Sequence, residues 1–361
     1  MHRDASRTLP VLWTVVLAGL VLFLALHNLS YYPPTWYDEG VHLLVARKLA
    51  TEGRYLFGPA LGPTVFFPVA AAFRVAGTEL LPARTVMAGY LLLFVAAFYA
   101  LSYQLGGWKV ATVATLILIS SPGTYLVRYG RQVLGEVPAA LFFLLGILVW
   151  LKALEGGRGL TRFTKLVFGG LLLGLSILTK NQFVLLLPAW FLVGVAGRLY
   201  HRETRLSTTV APVVGALVCV ASWYLVQRFC FPYGERLASQ NVQEWSDALD
   251  RGVLTFSPGR MLEAVKFLTS QDAIYAWALP GCAYAGVLSL RRSKAGLRWA
   301  LLAVVSAVWL AWFVAFSVAW PRYAFLPLTV CTLFVAQLFH DLTDGYRAPL
   351  QDFWKTARSG R

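Results

Sequence analysis

The sequence is poor in charge. Asp, Glu, Lys and Arg make up 14% of its 361 residues, apolar side chains make up 58%, and the mean hydropathy is +0.62. No soluble core of this length uses so much apolar side chain, which excludes the soluble globular classes. Polar helix faces at a 3.6-residue period are missing too, because the apolar runs are nearly uncharged all round. Acidic residues are the scarcer sign, 17 against 32 basic, which gives a formal net charge of +15. The basic residues sit between apolar runs and form no long stripe, so nucleic acid is excluded as a partner. The four cysteines, Cys219, Cys230, Cys282 and Cys331, have no paired spacing and three lie inside apolar runs. Buried free thiols are expected there, without a disulfide framework. Two halves with interrupted helices at matching positions, the mark of a transporter or lipid flippase, are not seen either.

What the chain has is long apolar runs. A span needs roughly 20 apolar residues to cross about 30 Å of hydrocarbon. About ten segments qualify, near 10–28, 84–105, 109–126, 137–154, 166–179, 183–198, 208–228, 272–290, 297–316 and 322–340. Lys180-Asn181-Gln182 is read as a tight turn between two short spans. The fold class is therefore an all-α polytopic membrane protein, with about ten transmembrane helices and amphipathic juxtamembrane helices in the first extracytoplasmic loop. A single transmembrane unit is expected over 1–361, with no soluble C-terminal domain, since the stretch after His340 is short and polar. The first apolar run has no small-residue cleavage site before Tyr31-Tyr32-Pro33-Pro34 and is kept as an uncleaved helix. Lys and Arg concentrate in the short loops on the side of the N-terminus, which places both termini in the cytoplasm and the long loops 29–83 and 229–271 outside. Contact with anionic lipid headgroups accounts for much of the basic excess.

The first outer loop is the most informative. Pro33-Pro34 ends what precedes it, Thr35 is read as an N-cap, and Asp38 stands where a capping-box acid belongs. Tyr37, Val41, Leu44, Val45 and Leu49 form one apolar stripe and Gly53 is a stop, which predicts an amphipathic helix over 36–51 lying on the membrane surface. Asp38 and Glu39 are explained either as acids favoured in a first turn or as functional carboxylates, with His42 at i+4 and i+3 near the same face. In the outer segment Ser121 to Pro138, Arg128 and Arg131 precede Glu136 at the start of a span. An acid at that depth is a site candidate, and its alternative is an interfacial helix start. The arginines serve either as headgroup anchors or as phosphate ligands. Lys180, Arg322 and Tyr323 lie at the same face in Leu178-Thr179-Lys180-Asn181-Gln182 and Trp320-Pro321-Arg322-Tyr323.

Trp36-Tyr37-Asp38-Glu39 early in the first outer loop, followed by an amphipathic helix and many spans, resembles the GT-C superfamily of integral-membrane glycosyltransferases, in its protein O-mannosyltransferase and aminoarabinose-transferase branches. The segment from Gly58-Pro59 to Arg84 is similar to the family's proline-containing stretch closed by an arginine, with Gly62-Pro63-Thr64 where Lys-Pro-Pro is common. Leu178 to Gln182 resembles a Thr-Lys-Gly-Pro stretch, with Asn and Gln replacing Gly and Pro. The resemblance implies a sugar donor on polyprenyl phosphate, Asp38 as catalytic base with Glu39 as its helper, and inversion at the anomeric carbon. Arg131, Glu136, Lys180, Arg322, Tyr323 and His42 are implied to bind substrate. Glu39 and Glu136 position either the substrate or a divalent metal ion, so a metal is the one cofactor in question. A bacterial or archaeal plasma (inner) membrane is the implied location. The acceptor is a cell-envelope lipid, glycan or protein. The alternatives are a polyprenyl-linked sugar flippase and a non-catalytic lipid-binding relative.

Overall fold

The computed structural model describes residues 2–55, 61–156, 159–231, 254–269 and 273–346. Among them every regular element is helical. The α-helices are α1 (His2–Leu26), α2 (Tyr37–Glu52), α3 (Pro63–Ala76), α4 (Leu80–Ser120), the short α5 (Leu126–Arg131), α6 (Glu136–Glu155) and α7 (Leu160–Thr179). They are followed by α8 (Leu186–Leu199), α9 (Leu206–Cys230), α10 (Pro258–Thr269), α11 (Ala273–Ser289), α12 (Lys294–Ala315) and α13 (Phe325–Leu342). Short 3-10 turns at Pro122–Thr124, Asn181–Leu185 and Pro321–Ala324 precede α5, α8 and α13.

Among the described residues seven helical stretches are long and apolar enough to cross a membrane: Leu80–Ser120, Glu136–Glu155, Leu160–Thr179, Asn181–Leu199, Leu206–Cys230, Lys294–Ala315 and Pro321–Leu342. Pro10–Leu26 and Ala278–Ser289 are shorter apolar helices that fall on two more of the expected spans. The expected spans 84–105 and 109–126 become one 41-residue helix that breaks at Gly107 (φ 80°, ψ 179°), and its second arm stops at Ser120 because Pro122 opens a tighter turn. The chain reverses at that break. Arg84, near the start of α4, meets Glu39, whereas Gln104 bonds Glu155 at the far end of α6, and Arg131 just beyond the second arm has returned to His27.

In lipid, apolar contact alone does not favour one helix neighbour over the hydrocarbon, so close packing and satisfied polar groups decide the arrangement. Helix α13 is the centre, with Phe325 through Gln337 buried on every side. Val15, Phe23, Leu93, Phe191, Leu217 and Val287 instead point outward, as lipid-facing residues do. The main buried cluster runs through α1, α4, α6 to α8, α12 and α13. A smaller one joins Val45, Ala46 and Leu49 of α2 to Val65, Phe66 and Val69 of α3 and Met87 of α4. The segment 29–83 thus holds two helices built as one unit. The four cysteines are free, and Cys282 and Cys331 lie with their Sγ atoms 3.3 Å apart, a proximity that spacing does not reveal. Of the loop 229–271, α10 is described, while residues 232–253, with Glu235, Glu244, Asp247 and Asp250, lie outside the described residues.

Only glycine adopts the Gly107 backbone conformation without strain. Gly107→Val should cost of order 1–3 kcal/mol, read as a lower unfolding midpoint of the purified protein in detergent. An unchanged midpoint would contradict a fixed reversal at this residue.

Candidate active site

Helix α2 departs from its sequence reading at its start. The N-cap is Trp36, in extended conformation (φ −98°, ψ 157°) and with no side-chain cap bond, so Thr35 does not cap the helix. Asp38 is consequently not held in a capping box. Gly53 ends the helix in the left-handed region (φ 66°), as read. The apolar stripe is also split: Val45 and Leu49 are buried together with Glu39, His42 and Ala46, while Tyr37 and Leu44 point outward. The inward face carries an acid because a cation waits for it.

That cation is Arg84, fully buried near the start of α4. Its Nε donates to Glu39 Oε1 at 3.0 Å and its Nη2 to Glu39 Oε2 at 2.8 Å, while Nη1 donates to the Leu29 carbonyl at 3.1 Å. The Val133 amide adds a bond to Glu39 Oε1 at 3.2 Å. Both carboxylate oxygens are therefore taken. His42, one turn on, donates from Nδ1 to the Val133 carbonyl at 2.7 Å, since a carbonyl only accepts. This leaves Nε2 as the basic nitrogen. Burial lowers the His42 pKa to about 4, with Lys180 pushing the same way, so the ring is neutral near pH 7. Gln132 donates to the Pro34 carbonyl at 2.8 Å and the Arg128 guanidinium lies 5.4 Å from the Trp36 ring centre. Helix α5 and the residues that follow it thus hold the acidic motif at Pro34, Trp36 and Glu39.

Asp38 faces the other way. Its Oδ2 accepts from Arg322 Nη1, and its side chain keeps 27% exposure. Arg322 stands in the 3-10 turn before α13, over the rings of Trp320 and Tyr323 at 4.6 and 5.5 Å. Its Nε lies 3.8 Å from Glu136 Oε1, beyond hydrogen-bond reach, and makes no hydrogen bond. Glu136, the first residue of α6, accepts from Lys180 Nζ at 2.8 Å; its other oxygen, Oε2, is buried without a partner. Lys180 stands in extended conformation (φ −147°, ψ 117°) between α7 and the turn before α8, which agrees with two helices meeting at a tight polar turn. Gly135 lets Lys180 in: a Cβ there would stand 2.9 Å from Lys180 Cδ and 3.1 Å from the Thr179 carbonyl oxygen. Two carboxylates and two cations thus neutralise one another, yet retain two unbonded polar atoms, Arg322 Nε and Glu136 Oε2.

The structure brings Asp38, Glu136, Lys180, Arg322 and Tyr323 together and sets His42 and Glu39 behind them. Arg131 is placed apart. Its Nη2 donates to the His27 carbonyl and its guanidinium lies 5.6 Å from the Tyr32 ring centre, so it fastens the end of α1 to α5. Tyr323 is buried, its ring against Trp312 and Trp320, and its backbone oxygen accepts from Trp309 Nε1 at 2.7 Å. Arg84 is the residue that sequence reading passed over. It was visible as an arginine opening a span, but nothing local ties it to an acid 45 positions earlier. Among the described residues no three His, Cys, Asp or Glu side chains gather as a metal-ligand set. Asp38 and Glu136 would supply two ligands, but each already carries a cation, so no chemistry below is routed through a metal.

No protein-family model matches the chain, and no curated protein does. Solved structures do. Over 97% of this chain and 63% of that chain, the fold is similar to ArnT from Cupriavidus metallidurans bound to undecaprenyl phosphate, with TM-score 0.68 and 18% identity. It is also similar to the Archaeoglobus fulgidus oligosaccharyltransferase in the apo form, with TM-score 0.62 and 14% identity over 96% of this chain and 52% of that one. A structure of the latter protein with Zn and sulfate matches with TM-score 0.63 and 14% identity, over 96% of this chain and 51% of that one. The chain therefore has the fold of the GT-C integral-membrane glycosyltransferases, the aminoarabinose transferase and the oligosaccharyltransferase among them. It spans about three fifths of the length of ArnT and about half of the oligosaccharyltransferase.

Two measurements test the packing behind the site. Arg84→Met leaves Glu39 buried and unpaired and should cost about 3–5 kcal/mol, while Glu39→Leu combined with Arg84→Met should recover most of it. A single variant as stable as the parent would remove this pair from the argument. The second measurement concerns His42. The unfolded chain takes up a proton at this residue below about pH 6.5 and the folded one only below about pH 4. Stability should fall by up to about 3 kcal/mol as pH drops through that window. His42→Gln should flatten the dependence, whereas an identical profile in the variant would place the titration elsewhere.

Proposed function

We propose that the chain transfers a sugar from a polyprenyl-phosphate donor to an acceptor hydroxyl, with inversion at the anomeric carbon. The observation that carries this reading is the convergence of Asp38, Glu136, Lys180 and Arg322, from four separate segments, in one partly open polar cluster. The fold supports it, since structures of this fold have been solved bound to undecaprenyl phosphate and to a dolichol-phosphate. Ten crossings follow if the two arms of α4 each cross, together with α1, α6 to α9 and α11 to α13. Both termini then lie in the cytoplasm, and α2 and α3 rest at the outer surface.

In this reading Asp38 is the general base. Its partly exposed carboxylate takes the proton from the acceptor oxygen as that oxygen bonds the anomeric carbon, and the bond from that carbon to the phosphate oxygen breaks on the opposite face. The transition state is oxocarbenium-like and the phosphate leaves with its charge, so no general acid is required, in contrast to glycosidases. Arg322 and Lys180 receive that charge. Arg322 Nε, unbonded and buried, is a donor already aimed into the cluster. Glu136 holds Lys180 and Arg322 in place through Oε1. Glu39, with both oxygens taken, is a positioning residue: it fixes the first turn of α2 and so aims Asp38. His42 Nε2 is suited to accept from a sugar hydroxyl, and the Tyr323 ring shapes the wall beside Arg322. Arg131 acts on the fold of the outer loop, through His27, and not on the phosphate. The sugar and the acceptor are left to assay.

Asp38→Asn should lower turnover by about 10² to 10⁴ while the affinity for the polyprenyl-phosphate donor stays within a few-fold. The measurement is transfer by the reconstituted protein across a panel of polyprenyl-phosphate sugars, alongside donor binding. Wild-type turnover in the variant would end the assignment. Translocation of the donor without transfer by the parent would make the chain a flippase.

A further inference from the structure

The end of the molecule opposite Asp38 carries a second ordered feature. Helix α8 follows the turn after Lys180 and ends at Leu199, α12 starts at Lys294 and runs toward Arg322, and α6 runs from Glu136 to Glu155, which meets Arg298 at 2.8 Å. The loops 199–205 and 290–293 therefore share the far face. They are docked to each other: Tyr200 donates from its hydroxyl to the Leu290 carbonyl at 2.7 Å, and His201 Nδ1 meets the Arg291 carbonyl at 3.1 Å. Ser293 caps α12 by accepting from the Gly296 amide at 3.2 Å, which fixes the second loop to its helix. Arg198, Arg202, Arg205, Arg291, Arg292 and Lys294 project from this platform, all exposed and without an ion pair among the described residues. Glu203 is the single acid in the two loops.

Apolar side chains set the depth. Leu199, Leu206 and Leu290 are 72%, 60% and 65% exposed, and each adjoins one of these arginines in the chain. Such leucines are at home in acyl chain and the neighbouring guanidinium groups at the headgroup layer. The Arg292 guanidinium lies 5.0 Å from the Tyr200 ring centre, which ties one loop's cation to the other loop's ring. Planar guanidinium groups match phosphate oxygens bidentately, and a fixed group of them exceeds the pull of scattered surface charge.

We propose that this docked pair of loops is a binding site for anionic phospholipid headgroups, which retains a phosphodiester lipid at the face opposite the active site. The inference does not depend on the glycosyltransferase reading. The test reconstitutes the full chain in nanodiscs of phosphatidylcholine alone or with added phosphatidylglycerol, and measures the unfolding midpoint and the lipid retained by native mass spectrometry. The parent should retain phosphatidylglycerol and show a higher midpoint with it. Arg202→Gln, Arg205→Gln and Arg291→Gln together should cut that retention several-fold and remove the rise, with the midpoint in phosphatidylcholine unchanged. Lysine at the same three positions should keep most of both. Equal retention in the glutamine variant, or no phosphatidylglycerol effect on the parent, would overturn the proposal. So would an equal rise when inorganic phosphate is added to phosphatidylcholine discs, which would mark a free-anion site.

Discussion

The bidentate pair between Glu39 and Arg84 is the constraint on which the rest of this structure rests. It is fully buried, so neither charge survives alone there, and it joins the first turn of α2 to the start of α4. The same two groups gather the Leu29 carbonyl and the Val133 amide, so four separate stretches of chain meet at one carboxylate and one guanidinium. With α2 pinned at Glu39, the preceding residue must look outward, and Asp38 enters the neighbouring cluster. Adjacent acids in a helix turn point about 100° apart, which lets Glu39 face Arg84 while Asp38 faces Arg322 and keeps partial exposure.

The cluster around Glu136 follows a different rule. Glu39 and Arg84 satisfy each other completely, whereas Asp38, Arg322, Glu136 and Lys180 balance in charge and leave Arg322 Nε and Glu136 Oε2 unbonded. An incompletely satisfied polar group is costly in low dielectric, and it is kept where a ligand completes it. In the proposed reaction the donor phosphate completes Arg322 Nε, whose N–H its oxygens accept, while Glu136 Oε2, an acceptor, is suited to a hydroxyl donor of the sugar or acceptor. The polar turn at Lys180 and the glycine at 135 serve this geometry, since without their close approach the lysine would not reach Glu136.

Charge is also distributed by face. At the Asp38 face acids and cations answer one another, while at the opposite face two loops and the helix ends beside them present six exposed cations, with one acid in the loops. A bilayer tolerates both arrangements for different reasons. Paired ions lower the cost of a low-dielectric setting, and unpaired cations are stable beside lipid phosphate.

How much of this was legible in the sequence can be followed residue by residue. Low charge and long apolar runs are enough to specify membrane helices, because every backbone group in lipid must be satisfied within its own helix and only side-chain polarity decides which segments enter. Glu136 was legible as a candidate because a charge at a span's edge is rare and needs a reason, and Asp38, Lys180 and Arg322 because their short motifs at the same face resemble those of the transferase family. Pairing was not. Arg84 and Glu39 are 45 positions apart, and Asp38 and Arg322 are 284 apart. The sorting of α2 also lay beyond reading, since an apolar-stripe argument places Glu39 and His42 outside, and only the buried Arg84 and the Val133 backbone reverse that preference. The sequence by itself determined the class of protein and the side chains capable of chemistry, because hydropathy and ionisation are properties of single residues and short segments. Tertiary structure alone decided which carboxylate is fully buried on one arginine, Glu39, and which stays partly open on another, Asp38, because the energy of a buried charge is set by the partner that packing brings to it.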